Sequence, residues 1–422
     1  MNVGKQKEPR LARPVKLDGR KGEGGGQLVR IAISLAAITG TPIIIDHIRA
    51  NRERRGRGGG LKAQHVTCMK YLADATNADV SNCFVGSKDI EFKAKLSPSQ
   101  IVNRNIKIKS DSAGSVMLVF QALLPFLLHA SDKKGTPIAL SIEGGTNVGF
   151  SPSFKYIDQV LLPSLERFGI NVERHLESRG WSRGSRQIGS AKFKIDPIPL
   201  GQPLSPPDWP TERGYITKID ISIIVPLAMH GSMKKAFLSE LETVFPETNT
   251  DFLIVEDSRH IARLYTILVA YTSTGLRFGC DWLYDRSSKN KTSEELSTEM
   301  AKKVVSSLNF VVRKGGLVDE HLHAQLIIFQ ALAGGNSVIP GSAETANSSR
   351  QRIERTDRPF GDGSPHATTA RWVTSQLFPN LKWVDKGRVC VGAGWTSVEV
   401  EVEAAEEAIS AVRIDEPTPV LL

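Results

Sequence analysis

The feature that most constrains the fold is an echo within the chain. An apolar helix pattern running on from Gln27 ends at Gly40-Thr-Pro-Ile and a strand, Ile43 to Ile48. A second helix pattern, Ser115-Val-Met-Leu-Val-Phe-Gln-Ala-Leu-Leu-Pro-Phe-Leu-Leu128, leads to Gly135-Thr-Pro-Ile and a strand through Ile142. A third, Glu320-His-Leu-His-Ala-Gln-Leu-Ile-Ile-Phe-Gln-Ala-Leu-Ala333, again ends in glycines. Recurrence of helix, glycine and strand predicts a repeated α/β unit, and copies ~95 residues apart are too distant for a solenoid, so compact helix-and-sheet units are expected.

The chain between the second and third copies has a different character. Pro197, Pro199, Pro203, Pro206, Pro207 and Pro210 punctuate it. A strand-like run (Ile216 to Leu227), a helix-like run (Met233 to Val244) and strands near Phe252 to Val255 and Tyr265 to Tyr271 follow. This predicts a smaller inserted α+β domain at 198–285, with the main domain on either side at 17–197 and 286–405. Residues 341–363, rich in Ser, Asn, Arg and Asp, read as a surface insertion. A basic tail is expected at 1–16 and an exposed tail at 406–422.

Composition narrows the class. The 422 residues are 40% hydrophobic, enough for a substantial core, yet hold no run of 18 apolar residues for a membrane helix. The first ten residues lack the apolar stretch of a signal peptide. Four scattered cysteines without paired spacing fit a reducing, intracellular setting and argue against a cysteine zinc site. A net charge of +9 suits a polyanionic partner.

Three segments offer chemistry. Gly22 and Gly24 to Gly26 run straight into the first helix, where Leu28, Ile31, Ala32, Leu35 and Ile38 share one face. Glycines there let backbone N–H groups approach an anion, the helix N-terminus adds partial positive charge, and Glu23 offers a carboxylate inside the turn. Next, Arg49, Arg52, Arg54, Arg55, Arg57 and Lys62 stand among four glycines before Gln64-His65. Arginine matches phosphate oxygens bidentately, so this segment reads as an anion site. Finally, in Asp362-Gly-Ser-Pro-His-Ala, Ser364 fits an N-cap and Pro365 a first helical position. His366 then stands in a first turn, where the dipole favours neutral, nucleophilic imidazole. On the third helix, His321, Ala324 and Gln325 share a face opposite the apolar Leu322, Leu326 and Phe329. His321 and His323, at i and i+2, point apart and are not expected to form a metal pair.

Together these segments resemble the RNA 3'-terminal phosphate cyclase family. The matching stretches are Leu17-Asp-Gly…Gly-Glu-Gly-Gly-Gly-Gln27, Ile48-Arg-Ala…Gln64-His65, Ser112-Ala-Gly-Ser…Phe120-Gln121, Glu143-Gly-Gly-Thr-Asn147, Arg179-Gly-Trp, Thr211-Glu-Arg-Gly214, Val318-Asp-Glu-His-Leu-His-Ala-Gln-Leu326 and Pro365-His-Ala-Thr-Thr-Ala370. The resemblance implies an α/β (α+β) fold, with a main domain of three repeated βαβαββ-type units and an inserted α/β domain. It implies that ATP adenylylates a histidine, that AMP passes to an RNA 3'-terminal phosphate, and that the neighbouring 2'-hydroxyl closes a 2',3'-cyclic phosphate. His366 then falls at the nucleophile. Glu23 falls at a carboxylate associated with a divalent metal, Mg or Mn. Gln121 and the segment His321, Leu322, His323, Ala324 and Gln325 fall in the nucleotide pocket, and Arg49, Arg52, Gln64 and His65 in the phosphate pocket. A nuclear location is implied by the resemblance alone.

The sequence departs from that pattern in places. Ala324 stands where the family has aspartate, and His321 where it usually has tyrosine. The glycine-rich signature after Arg179-Gly reads Trp-Ser-Arg-Gly-Ser-Arg-Gln-Ile-Gly189. Aligned without a gap at 341–363, Glu344 would fall at the nucleophile position instead. Two other functions compete: a non-catalytic cyclase-like scaffold of ribosome biogenesis, and a small-molecule enolpyruvate transferase built on related repeats. The retained histidine and glycine turn favour the cyclase over the scaffold. The arginine-glycine and Glu-Gly-Gly-Thr-Asn segments speak against the transferase.

Overall fold

The computed structural model describes residues 13–53, 56, 58–109, 114–339 and 357–398. Residues 1–12 of the basic tail, Arg54, Arg55, Arg57, Ser112, Glu344 with most of the 341–363 insertion, and the 406–422 tail lie outside the described residues.

The first unit runs β1 (Val15–Asp18), α1 (Gln27–Thr39), β2 (Ile43–Asp46), α2 (Ala63–Thr76), β3 (Asp79–Ser81) and β4 (Ile90–Lys93). Its sheet has the order β1-β2-β4-β3, with β1 parallel to β2 and the other pairs antiparallel. The expected tail therefore stops short of Val15 and Lys16, which pair with Ile43 and Ile44. Gly40 ends α1 in the left-handed conformation (φ 68°), its N–H bonding the Ala36 carbonyl at 3.0 Å. Glycine adopts that conformation without a Cβ penalty, which turns the chain back toward β2.

The second unit repeats this plan with β5 (Asn105–Lys109), α3 (Val116–Leu128), β6 (Ile138–Gly144), a helical stretch at 154–168, β7 (Val172–Ser178) and β8 (Gly189–Ile195). Its order is β5-β6-β8-β7, again with the first pair parallel. Ile106 and Ile108 alternate inward along β5 while Lys107 and Lys109 face out, the period-2 pattern of a one-sided strand.

After the inserted unit comes α6 (Glu320–Leu332), then β13 (Asn336–Val338), α7 (Pro365–Leu377), β14 (Lys382–Val384) and β15 (Val389–Val391). Among the described residues this third sheet has three strands, in the order β13-β15-β14. It lacks the leading parallel strand expected of a full repeat, because the chain enters α6 directly from the inserted unit.

The inserted unit holds β9 (Ile216–Val225), α4 (His230–Val244), β10 (Asn249–Asp257), β11 (Tyr265–Thr272), β12 (Arg277–Leu283) and α5 (Ser293–Arg313), with sheet order β10-β9-β11-β12. Met233, Phe237 and Leu241 of α4 share a core with Met300, Val304 and Leu308 of α5. The sequence boundary at 285 falls before α5, yet the apolar stripe of that helix packs on α4 and β12. Periodicity shows that such a stripe exists but not which sheet covers it.

The main core is continuous across all three units. At its centre α1 packs against α2, α3 and α7, and α7 against α6. Gln27 through Ile38 are consequently all buried except Arg30, so α1 is covered around most of its circumference rather than on the single face its spacing suggests.

Candidate functional site

One cleft of about 1280 Å³ opens where the helix ends of the units meet. Its wall includes Glu23, Arg49, Arg52, Gln64, His65, Gln121, His321, Ala324, Gln325 and His366. Residues more than 340 positions apart in sequence are thus neighbours.

The floor is the glycine turn. Gly22 takes φ 70°, and a Cβ there would lie 2.0 Å from Thr369 Oγ1, so a side chain is excluded where the turn meets α7. A Cβ on Gly25 would strike the Glu23 carboxylate at 2.1 Å. That space lets Glu23 fold over the start of α1, where its Oε1 accepts from the Gln27 N–H at 3.2 Å. Its Oε2 accepts from Arg52 at 2.6 Å, with the Glu23 side chain 4% exposed. Burial opposes ionisation of Glu23, but the His366 ring, the Arg52 hydrogen bond and the Gln27 N–H together hold its carboxyl below the ordinary range.

His366 sits where the cap chemistry placed it. The Ser364 Oγ accepts from the Ala367 N–H at 3.2 Å, Pro365 opens α7, and the imidazole stands in the first turn, open to the cleft. Its Nδ1 lies 2.5 Å from Gln27 Oε1. The Gln27 amide nitrogen donates to the Ala324 carbonyl at 3.4 Å, which orients the amide oxygen toward the ring. Nδ1 therefore carries the proton and donates it, leaving the lone pair on Nε2. Burial, followed by repulsion from Arg30 and Arg52, lowers the His366 pKa against the opposing pull of Glu23, so the neutral ring is favoured.

The basic side of the cleft is formed by Arg49, Arg52 and Lys62 with Arg30. Sequence reasoning missed Arg30, although it stands at i+3 from Gln27 on the same helix face. Its guanidinium reaches the glycine turn, where a Cβ on Gly26 would lie 3.0 Å from it. The Arg30 side chain makes no hydrogen bond or ion pair among the described residues. Gln64 and His65 open α2. His65 is fully buried, and its Nδ1 accepts from the Lys62 N–H at 3.0 Å, so it closes the end of its own helix. Burial, then Arg30 and Arg49, push its pKa well down and keep it neutral.

Gln121 on α3 donates to Gln325 Oε1 on α6, joining two units across the cleft. His321 faces Tyr156 edge-on at 6.4 Å. The remaining two residues of the expected nucleotide segment lie elsewhere. Leu322 is 1% exposed in the core, and His323 points away from His321 to contact Arg371 at 3.1 Å, its pKa lowered to about 3 by burial and Arg371. Residues one position apart on a helix face different neighbours, so only part of the segment reaches the cleft.

The far wall comes from the inserted unit and was not legible in the sequence. Tyr265 of β11 and Asp281 of β12 hydrogen-bond Ser153 at 2.6 and 2.7 Å. Asp319 caps α6 by accepting from the Leu322 N–H at 2.9 Å, and also accepts from the Tyr156 hydroxyl at 2.6 Å and the Gly279 N–H at 3.2 Å. The helix bearing His321 is thereby tied to the inserted sheet.

A cleft with a cationic side, a helix-start glycine turn and a neutral histidine presenting Nε2 is suited to covalent transfer of a phosphoryl-linked group. A family model described as RNA 3'-terminal phosphate cyclase matches residues 21–380, and the chain belongs to that family. A protein named RNA 3'-terminal phosphate cyclase from Thermococcus kodakarensis is 31% identical over 373 residues, covering 87% of this chain and 93% of that protein. Relatives of the same name from Staphylothermus marinus (33% over 348 residues, 81% and 90%) and Pyrobaculum aerophilum (31% over 334 residues, 78% and 88%) are similar. These relatives are archaeal and lend no support to the nuclear location implied by the resemblance. No helix among the described residues is long and apolar enough to cross a membrane.

Proposed function

We propose that this chain uses ATP to convert an RNA 3'-terminal phosphate into a 2',3'-cyclic phosphodiester, through AMP carried on His366. The observation that carries this reading is the hydrogen bond between His366 Nδ1 and Gln27, which leaves the Nε2 lone pair unprotonated in a cleft that Arg30, Arg49 and Arg52 also line. In the first step Nε2 attacks the α-phosphorus of ATP, a P–N bond forms, and pyrophosphate leaves. An oxygen of the RNA 3'-phosphate then displaces the histidine, which returns to neutral imidazole. Finally the 2'-oxygen attacks the activated 3'-phosphorus, AMP departs, and the hydroxyl proton is lost. Covalent catalysis divides one difficult activation into easier displacements. Arg30, Arg49 and Arg52 supply positive charge beside the phosphates.

A divalent ion would meet a sparse donor set. Among the described residues no three His, Cys, Asp or Glu side chains cluster to hold a metal. Glu23 offers one carboxylate, already engaged by Arg52 and the Gln27 N–H. Magnesium takes one or two carboxylates and completes its shell with phosphate oxygens and water, so Glu23 fits such an ion only alongside bound phosphates. There a divalent ion would neutralise phosphoryl charge.

The test is incubation with ATP labelled at the α-phosphate, followed by a denaturing gel. The wild-type chain is expected to retain an acid-labile AMP label and His366→Ala to lose it while melting normally. Labelling that survives His366→Ala refutes the assignment, and absence of label on the wild type favours the scaffold reading.

A further inference from the structure

The loop at 181–188 carries arginines where the family signature is rich in glycine. Both Arg183 and Arg186 line the same cleft as His366. Neither forms an ion pair with a carboxylate among the described residues, whereas Arg179 just before them is held by Glu256 at 2.5 and 2.6 Å. Beside this loop, Phe150 projects with 91% exposure and φ 61°. An exposed aromatic ring in a left-handed backbone conformation is a costly arrangement, of a kind that concentrates at functional positions.

We propose that this loop and Phe150 form a bed for the nucleotides that precede the 3'-terminal phosphate of single-stranded RNA, a proposal that rests on the functional reading above. Recognition of single strands combines cations along the backbone with aromatic faces on which bases stack. Both are present here at one edge of the cleft. At about 1280 Å³ the cleft also exceeds the 300–1,000 Å³ usual for one small ligand, so it has room for more than a nucleoside triphosphate.

The bed is built rather than incidental. Arg263 of the inserted unit donates to the Ser185 carbonyl at 3.0 Å and to its hydroxyl at 3.2 Å, and lies 5.9 Å from the Trp181 ring centroid. Gly184, at φ 71°, packs so close to His260 that a Cβ would lie 2.7 Å from its Nδ1. The Phe150 loop is fastened to the arginine loop twice: the Ser182 N–H donates to the Asn147 carbonyl at 3.2 Å, and the Gly149 N–H donates to Ser182 Oγ at 3.3 Å. Arginines and ring are therefore held as one surface by both structural units.

The experiment measures affinity for two probes, a 3'-phosphorylated RNA decamer and uridine 3'-monophosphate. Phe150→Ala is expected to weaken the decamer roughly ten- to a hundredfold, the range of one lost base stack. The Arg183→Ala/Arg186→Ala double variant should flatten the salt dependence of decamer binding by about 0.7 in log–log slope per lost phosphate contact. Uridine 3'-monophosphate binding should change little in either, so the decamer's advantage shrinks. Phe150→Tyr and Arg186→Lys, which keep ring and charge, should retain most of it. An unchanged decamer affinity and slope overturns the proposal, as does an equal loss for both probes. Failure of the wild type to form the AMP label would instead refute the functional reading, and the two-probe comparison still decides whether the bed holds RNA.

Discussion

Gln27 is the residue on which the histidine chemistry turns, and replacing it by methionine tests that directly. Methionine keeps the length and the buried apolar stem but cannot accept from His366 Nδ1. Two contacts disappear: the 2.5 Å bond to the ring and the 3.4 Å bond to the Ala324 carbonyl. A net hydrogen bond contributes about 0.5–1.5 kcal/mol. Lost from orientation and tautomer control of the nucleophile, that corresponds to a roughly two- to twelvefold slower adenylylation. Gln27→Glu makes the opposite electrostatic change. A carboxylate at this position would stabilise the imidazolium and raise the His366 pKa, which in the native chain lies below its ordinary value. Nε2 is nucleophilic only in the neutral ring, so the acid limb of the rate should move to higher pH in Gln27→Glu. Single-turnover formation of acid-labile AMP at saturating ATP, measured from pH 5 to 9, separates these outcomes. If Gln27→Met reacts at the wild-type rate and Gln27→Glu leaves the acid limb in place, the Nδ1 contact does not prepare the nucleophile.

Glu23→Gln keeps the side-chain size while weakening the Arg52 pair and the cap on α1. It should lose roughly 1–3 kcal/mol of stability and adenylylate more slowly at every magnesium or manganese concentration. Earlier melting with an unaltered rate would leave Glu23 a helix-end residue only. Because its folded pKa is lowered, its contribution is present above the ordinary carboxylate pKa and disappears as pH falls through the folded value, so Glu23→Gln should lose least relative to wild type in acid. His129, 1% exposed with neither ring nitrogen hydrogen-bonded among the described residues, has its pKa lowered to about 4 by burial. The unfolded chain takes up that proton near the ordinary value of about 6.5, so stability should fall between there and about pH 4. His129→Leu should flatten this decline in a pH series of thermal melts, and an equally steep decline would refute the assignment.

What the sequence made legible is what local chemistry dictates. Ser364 and Pro365 announce a helix start, and the structure finds one there because capping involves only neighbouring residues. The glycine turn is local only in part: Gly25 is required by the carboxylate of Glu23 two residues away, whereas Gly22 is required by Thr369 of α7, a contact that only the fold supplies. His65 and His323 show the limit. As residue types they suit a ligand as well as a cap or a buried partner, and only long-range packing decides. His65 closes α2 beneath the glycine turn, and His323 meets Arg371 from another helix. The inserted unit's part in the site was hidden for the same reason. Tyr265, Asp281 and Gly279 sit in an ordinary alternating hairpin of β11 and β12, and acquire a role only because that sheet docks on Ser153 and Asp319. The cleft therefore depends on convergence. Glu23 and Gln27 come from the first unit, Gln121 from the second and His366 from the third, and the inserted sheet fixes the start of α6 through Asp319. A substitution at Asp319, which does not itself line the cleft, would consequently reach it through its neighbours, because Asp319 caps the helix that carries His321 and Gln325 and holds the hydroxyl of Tyr156 in the cleft wall at the same time.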